Sequence, residues 1–326
     1  MTKIFSNQTN EQAPSDDIDS RICCSYKQLV PLQSQAQSFS LLPHISSGTS
    51  LAGRQHSLFR GRGLNFEELK HYQPGDDVRN IDWKTTMRVG KPYVRSYTEE
   101  KDRNVIVLAD LRSGMFFSSQ SVMKSVVVAE VTALCGWKAI KQGDRVGFVL
   151  ATPKQIQLSR SCRSQNDLLH RLSDIAKATQ HLNCHSSNDS ISNFSNIIKQ
   201  LIRLNLRSST LILISDWHDA SERDLDALKY LQQRNDVVSV LVSDPLELKL
   251  PERLHTQPWV IGNGEQQMNI SGKALVSEIN QVLEHSGDTK RNRLRKLMTA
   301  KKLPFIELGT SGNHLRIFKQ KVGGRT

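Results

Sequence analysis

Two carboxylates stand where a parallel sheet brings chemistry together. The runs Asn104-Val-Ile-Val-Leu-Ala-Asp110 and Thr210-Leu-Ile-Leu-Ile-Ser-Asp216 are continuously apolar, and each ends in an acid. That is how strands buried on both faces read. In one sheet, Asp110 and Asp216 would reach the same carboxyl edge, and two hard oxygen ligands from separate strands begin a divalent-cation site, with Mg²⁺ as the candidate ion. The same placement suits an acid that only caps the next helix. Ser215-Asp216-Trp217-His218-Asp219 gathers a hydroxyl, an imidazole and two carboxylates in one stretch. Neighbours on a strand end diverge, however, and a nucleophilic triad needs groups converging from separate elements.

Other chemistries find less support. His181, Cys184 and His185 are zinc-ligand types without a second ligand pair at useful spacing. Gly61-Arg-Gly63 lacks the downstream Gly-Lys-Ser/Thr of a phosphate loop and follows no buried strand. There is no G-x-S-x-G elbow, H-E-x-x-H helix or kinase-like set. The five cysteines include no C-x-x-C, and an odd count is unlike a disulfide framework.

The elements that must position the two acids follow from periodicity. Residues 120–142 read as a long helix closed by Gly143-Asp144, and Arg145 to Leu150 as a strand with Gln155 to Leu158 beside it as a hairpin. Helical spacing of Leu168, Leu169, Leu172, Ile175 and Ala176 predicts a helix over 164–180. Ile191, Phe194, Ile197, Ile198, Leu201 and Ile202 predict another over 190–204. A further helix over 220–233 and a strand from Asp236 to Ser243, stopped by Asp244-Pro245, complete the pattern. Strands separated by helices mean right-handed βαβ units, hence an α/β, Rossmann-type, mostly parallel sheet flanked by helices.

Composition bounds the rest. The chain has 326 residues, with 44 Lys+Arg against 32 Asp+Glu and a net charge of +12. Its first 50 residues hold 21 Ser, Thr, Asn or Gln and seven charges, which reads as a poorly ordered polar arm over 1–48 with one docked segment around Tyr26 to Leu32. No signal-peptide pattern and no long apolar span occur, so the expected compartment is the cytoplasm, with peripheral recruitment the route to any membrane. The last 41 residues carry 11 Lys+Arg against two acids, a net of +9 of the +12. Arg291, Arg293, Arg295, Lys296, Lys301 and Lys302 surround Leu294, Leu297 and Met298, as in a basic amphipathic helix whose apolar face packs on the sheet. Little aromatic interleaving accompanies this charge, which argues against nucleic acid as the partner.

Residues 49–103 form a distinct segment with 11 basic and eight acidic residues over 51–103, interleaved with aromatics. Gln73-Pro74-Gly75-Asp76 carries tight-turn chemistry. Around it Asp76, Asp77, Arg79, Asp82, Lys84 and Arg88 would form an ion-pair network anchored by Trp83, either as a structural clasp or as a partner-docking surface. The stretch from Gly61 to Lys84, with Phe66-Glu67-Glu68-Leu69, Gly75-Asp76-Asp77 and Arg79-Asn-Ile-Asp-Trp83, then Arg88 and Glu99-Glu100, resembles the signature of a bacterial family called domain of unknown function fifty-eight. Its members read G-x-G-x-E-F-x-x-L-R-x-Y-x-x-G-D-D-x-R-x-I-D-W before a strand ending D-x-S-x-S-M. The match runs from Gly61 through the strand ending at Asp216.

The resemblance implies a von Willebrand factor A-like domain, over 104–285, and a MoxR-type AAA+ ATPase as partner; the residues themselves add a small β-rich clasp over 49–103 and a basic helix and tail over 286–326. The adhesion site of such domains uses D-x-S-x-S with a later Asp. Here Asp110-Leu-Arg112-Ser-Gly114 keeps the first acid, Asp216 supplies the second, and both serine positions are lost. Arg112 would repel a metal ion and take its place beside a carboxylate. The expected protein is therefore a non-enzymatic adaptor acting on a client complex, engaging partners through Asp76, Asp77, Arg79, Asp82, Trp83, Arg88, Asp110, Arg112 and Asp216. The alternative is a metal-dependent hydrolase or nuclease using Asp110, Asp216 and the basic C-terminus.

Overall fold

The computed structural model describes residues 19–37, 39, 64–99, 103–251, 259–262, 267–270, 273–300 and 305–323. They fall into two compact units, one of residues 43–103 and one of residues 1–42 with 104–326.

In chain order the elements are α1 (Tyr26–Leu29), α2 (Leu32–Gln35), β1 (Leu64–His71), α3 (Trp83–Val89), β2 (Tyr93–Glu99), β3 (Asn104–Asp110), α4 (Lys124–Lys141), β4 (Arg145–Ala151), β5 (Ile156–Leu158), α5 (Gln165–Gln180) and α6 (Phe194–Arg203). There follow β6 (Ser209–Ser215), α7 (Glu222–Gln232), β7 (Asp236–Ser243), α8 (Pro245–Leu248), β8 (Trp259–Gly262), β9 (Gln267–Ile270), α9 (Lys273–Thr299), β10 (Ile306–Gly309) and α10 (His314–Gly323). Six strands form one sheet in the order β10-β7-β6-β3-β4-β5, parallel except for β5. Counted from β3, that is the 3-2-1-4-5-6 order of a doubly wound sheet, and the order reverses between β3 and β6. Their register sets Ala109 beside Ile214, so Asp110 and Ser215 end the two strands side by side at the switch point.

β3, β6 and β7 are buried along almost their whole length, as their unbroken β-branched runs require. α4 is buried from Lys124 to Ala139, because α1, α2, α5 and α10 close over the faces that the sheet leaves free. Gly136 makes this closeness possible: a Cβ there would meet Leu168 at 2.8 Å and Phe148 at 3.0 Å. The N-terminal stretch 19–37 docks as expected around Tyr26 to Leu32. Leu29 is fully buried, Trp137 donates its indole N–H to the Leu29 carbonyl at 3.1 Å, and the Cys24 amide donates to Thr179 Oγ1 at 3.0 Å. The arm is thus, from residue 19, part of the sheet unit.

Position 286 lies inside α9. Beyond that helix the chain is no tail: β10 pairs with β7 as an edge strand, with Ile306 and Leu308 turned inward and buried. Four residues are too few to register as a period in the sequence, and the sheet supplies the pattern instead. The basic helix packs as expected, with Leu294, Leu297 and Met298 buried.

In the other unit, β1 and β2 pair antiparallel with a bulge between Phe66 and Glu68. Their connection turns at Gly75 (φ +106°) and holds α3, in whose first turn the Thr85 amide donates to the capping Asp82 carboxylate and whose end is Gly90 at φ +76°. Gly61 to Gly63 and Glu100 lie outside the described residues.

Candidate functional site

The switch point holds Asp110, fully buried at the end of β3. The turn that follows brings Arg112 back over it. Arg112 donates Nε to Asp110 Oδ1 at 2.9 Å and Nη2 to Oδ2 at 2.8 Å. The guanidinium's outer edge donates Nη1 to Asp219 Oδ2 at 2.6 Å and Nη2 to Asp219 Oδ1 at 2.9 Å. Ser215 Oγ donates to Asp110 Oδ2 at 2.7 Å, and the Phe194 amide to Asp219 at 2.9 Å. One planar cation therefore joins two carboxylates in fork geometry, with the Phe194 ring 6.0 Å from the guanidinium carbon.

A second cation serves Asp216. Lys124, at the start of α4 and fully buried, reaches Asp216 Oδ2 at 3.0 Å and Glu247 Oε1 at 2.5 Å. Asp216 also accepts the His218 amide at 3.0 Å. Gly114 lies under it, where an added Cβ would come within 3.3 Å of Asp216 Oδ2. At the end of β7 a third acid, Asp244, accepts the Ser119 amide at 2.8 Å, Ser119 Oγ at 2.5 Å and Thr310 Oγ1 at 2.6 Å. It also caps α8.

Charge states follow from these contacts. Burial by itself would raise Asp216, but the Lys124 charge, the His218 amide and Arg112 hold its carboxyl down to about 2. Asp219 and Asp244 are likewise lowered, against burial, by Arg112 and by the Ser119 and Thr310 hydrogen bonds respectively. Arg112 and Lys124 are raised, because their carboxylates outweigh the burial that opposes their charge. The edge is an ionised network with its counter-ions built in.

Asp110 and Asp216 do not converge on one ion-paired cation: Asp110 pairs with Arg112, and Asp216 with Lys124. A divalent ion needs several convergent oxygens with room between them, and the space between Asp110 and Asp219 is taken by a guanidinium. Among the described residues no three His, Cys, Asp or Glu side chains group as ligands. The donor set does not fit Mg²⁺. Nor do Ser215, Asp216, His218 and Asp219 converge, since Ser215, Asp216 and Asp219 each turn to a different partner.

Sequence reasoning missed Lys124, Asp244, Glu247 and Lys290, whose ammonium donates to the Asp216 carbonyl, as members of this edge, and named Asp219 only within the 215–219 stretch. Asp244 had a signal: it ends a third buried run in the same manner as Asp110 and Asp216. The lysines had none, because helix lysines are ordinarily solvated.

In the 43–103 unit the expected ion-pair cluster is dispersed. Asp76 pairs with Lys70 at 2.7 Å, Asp77 caps a 3₁₀ turn at Arg79, and Asp82 caps α3 while pairing with Arg95 at 3.0 Å. Trp83 stands 64% exposed, with Met87 one turn later 80% exposed. Arg79, Lys84 and Arg88 are exposed as well. The cap at Asp82 fixes the helix so that Trp83 and Met87 project on one side.

The sheet order, the helices around it and the acid-ended central strands define a von Willebrand factor A-like α/β domain. The chain belongs to the family described as protein of unknown function DUF58, whose model matches residues 68–257. Relatives include the uncharacterized proteins Rv1480 of Mycobacterium tuberculosis and Mb1516 of Mycobacterium bovis, each 23% identical over 205 residues and 62% of this chain. The chain spans 62% of the length of these curated relatives. Among solved structures, the conserved hypothetical protein BatB from Bacteroides thetaiotaomicron covers 68% of this chain and 97% of its own at 11% identity and TM-score 0.38. A von Willebrand factor type A protein from Catenulispora acidiphila covers 46% of this chain and 35% of its own at 16% identity and TM-score 0.28. The fold assignment rests on the strand order rather than on these alignments. No helix among the described residues is long and apolar enough to cross a membrane.

Proposed function

We propose that this protein is a non-enzymatic adaptor that works in the cytoplasm with a MoxR-type AAA+ ATPase in assembling or activating a client protein complex. The observation that carries the reading is the exposed pair Trp83 and Met87 on one side of α3, inside the family signature, with Arg79, Lys84 and Arg88 exposed in the same stretch of chain. Large apolar side chains held on a rigid, capped helix, with Arg in the same stretch, are the composition of an interface centre. The ATPase as partner comes from the family resemblance.

The non-enzymatic reading is supported by the carboxyl edge. A metal-dependent hydrolase built on Asp110 and Asp216 would need both on one ion, and each is held by an internal cation instead. A free general base would need an unpaired carboxylate, and Asp110, Asp216 and Asp219 are all paired.

Affinity capture from the native host tests this. Tagged full-length chain should retrieve the AAA+ ATPase when ATP hydrolysis is blocked, and Trp83→Ala with Met87→Ala should weaken capture by about tenfold or more, the loss of a hot spot of roughly 2 kcal/mol. Capture that is absent, or unchanged by both substitutions, overturns the reading.

A further inference from the structure

Next to the carboxyl edge lies a cleft of about 290 Å³ that the chemistry above does not use. It opens beyond the end of β6, between the turn at Trp217 to Ala220, the start of α7 and the middle of α9. Its walls include Trp217, Leu225 and Leu294, and its polar lining includes His285, Lys290 and Arg293. Trp217 is held at φ +57°, a left-handed conformation that a bulky residue adopts only where its surroundings enforce it. Its amide donates to Ser215 Oγ and its indole to the Val240 carbonyl, so the wall of the cleft is fixed to two strands.

Lys290 is the unusual member. Its ammonium donates to the Asp216 carbonyl at 3.3 Å and, among the described residues, makes no ion pair with a carboxylate, although it is half-buried. A buried cation ordinarily has an anion against it. Burial pushes the Lys290 pKa down; Asp216 and Glu247 draw it up, Lys124 opposes it, and Asp219 adds a weaker attraction. Those acids are already engaged by Lys124 and Arg112. Arg293 pairs, among the described residues, with Glu222, and both are largely exposed, so that pair exchanges at little cost.

We propose that this cleft binds a carboxylate, the acidic side chain of a protein partner, between Lys290 and Arg293 with its methylenes against the half-buried Leu225. The apolar wall at Leu225 favours a side chain over a bare ion, and the two cations of the lining, Lys290 and Arg293, favour an acidic segment. The identity of that segment as part of the adaptor's partner rests on the reading above; the chemistry of the cleft does not.

Isothermal titration of the full-length chain with a capped hexaglutamate peptide tests the site, with capped hexaglutamine and inorganic phosphate as comparison arms. Hexaglutamate should bind, and Lys290→Met should weaken it about tenfold or more while melting temperature stays equal or rises, because the substitution removes a cation without its own counter-ion. Arg293→Ala, at an exposed position, should weaken binding with no change in stability. Absence of peptide binding, equal binding by Lys290→Met, phosphate binding without peptide binding, or a lowered melting temperature in Lys290→Met would each overturn the proposal, the last by making Lys290 a structural counter-ion. If hexaglutamate binds as expected while the ATPase is not captured, the cleft stands and the adaptor reading falls.

Discussion

Arg112 sits 5% exposed with carboxylates on two sides, so its removal strands Asp110 in the interior without a counter-ion. Breaking a buried pair from one side costs about 3–5 kcal/mol, far more than an exposed pair would. Arg112→Ala should therefore lower unfolding stability by about that amount in urea titration, and Arg112→Lys should restore only part, since an ammonium reproduces the charge and not the two-sided fork. Little change in Arg112→Ala would mean that Asp110 is held by Ser215 alone. The type of this residue was legible in the sequence, and so was its place two residues after Asp110. Its second partner was not: Asp219 stands on a different loop, and only the turn at Trp217 brings it across.

At the scale of elements, α4 shows how much the sequence leaves open. Its apolar content, Val126 to Ile140, predicts a buried helix, and the helix lies at Lys124–Lys141. What covers it came from elsewhere in the chain: the 19–37 segment on one side, α10 on another. Gly136 is the point of closest approach, with Leu168 of α5 and Phe148 of β4 already at contact distance from an absent Cβ. In an open helix Gly→Val would be nearly neutral or mildly stabilising in propensity. Here Gly136→Val should destabilise by about 1–3 kcal/mol through overpacking, read as a fall in melting temperature; an unchanged value would show that α4 and α5 can part without cost. The helix starts at 165, 194 and 222 match their periodic patterns within a few residues, and each follows a Ser or Asn whose side chain accepts from the first turn. Ile191 fits the periodic pattern of α6 but lies before the helix and is 64% exposed, because the cap at Asn193 starts it later.

Over the whole molecule, acid is the condition to which the carboxyl edge responds. Asp216, held at about 2 against an ordinary 3.8, and Asp219 and Asp244, both lowered, bind fewer protons folded than unfolded. Stability from these groups is complete above the unfolded value and is lost as pH falls through the folded one, so chemical denaturation should show stability declining from about pH 4 towards pH 2. Asp216→Asn should flatten that decline; an unaltered slope would place acid sensitivity elsewhere. By itself the sequence determined the α/β class, the central strands and their acid ends, the docked N-terminal segment and the concentration of positive charge after residue 286, because these are written in continuous apolar runs, in the helical period of 3.6 and in local composition. Tertiary structure alone decided which cation faces which acid, that β10 closes the sheet and that Trp83 stands exposed. Those depend on side chains from distant segments meeting at one edge, where burial forces each charge to take the partner that lies within reach.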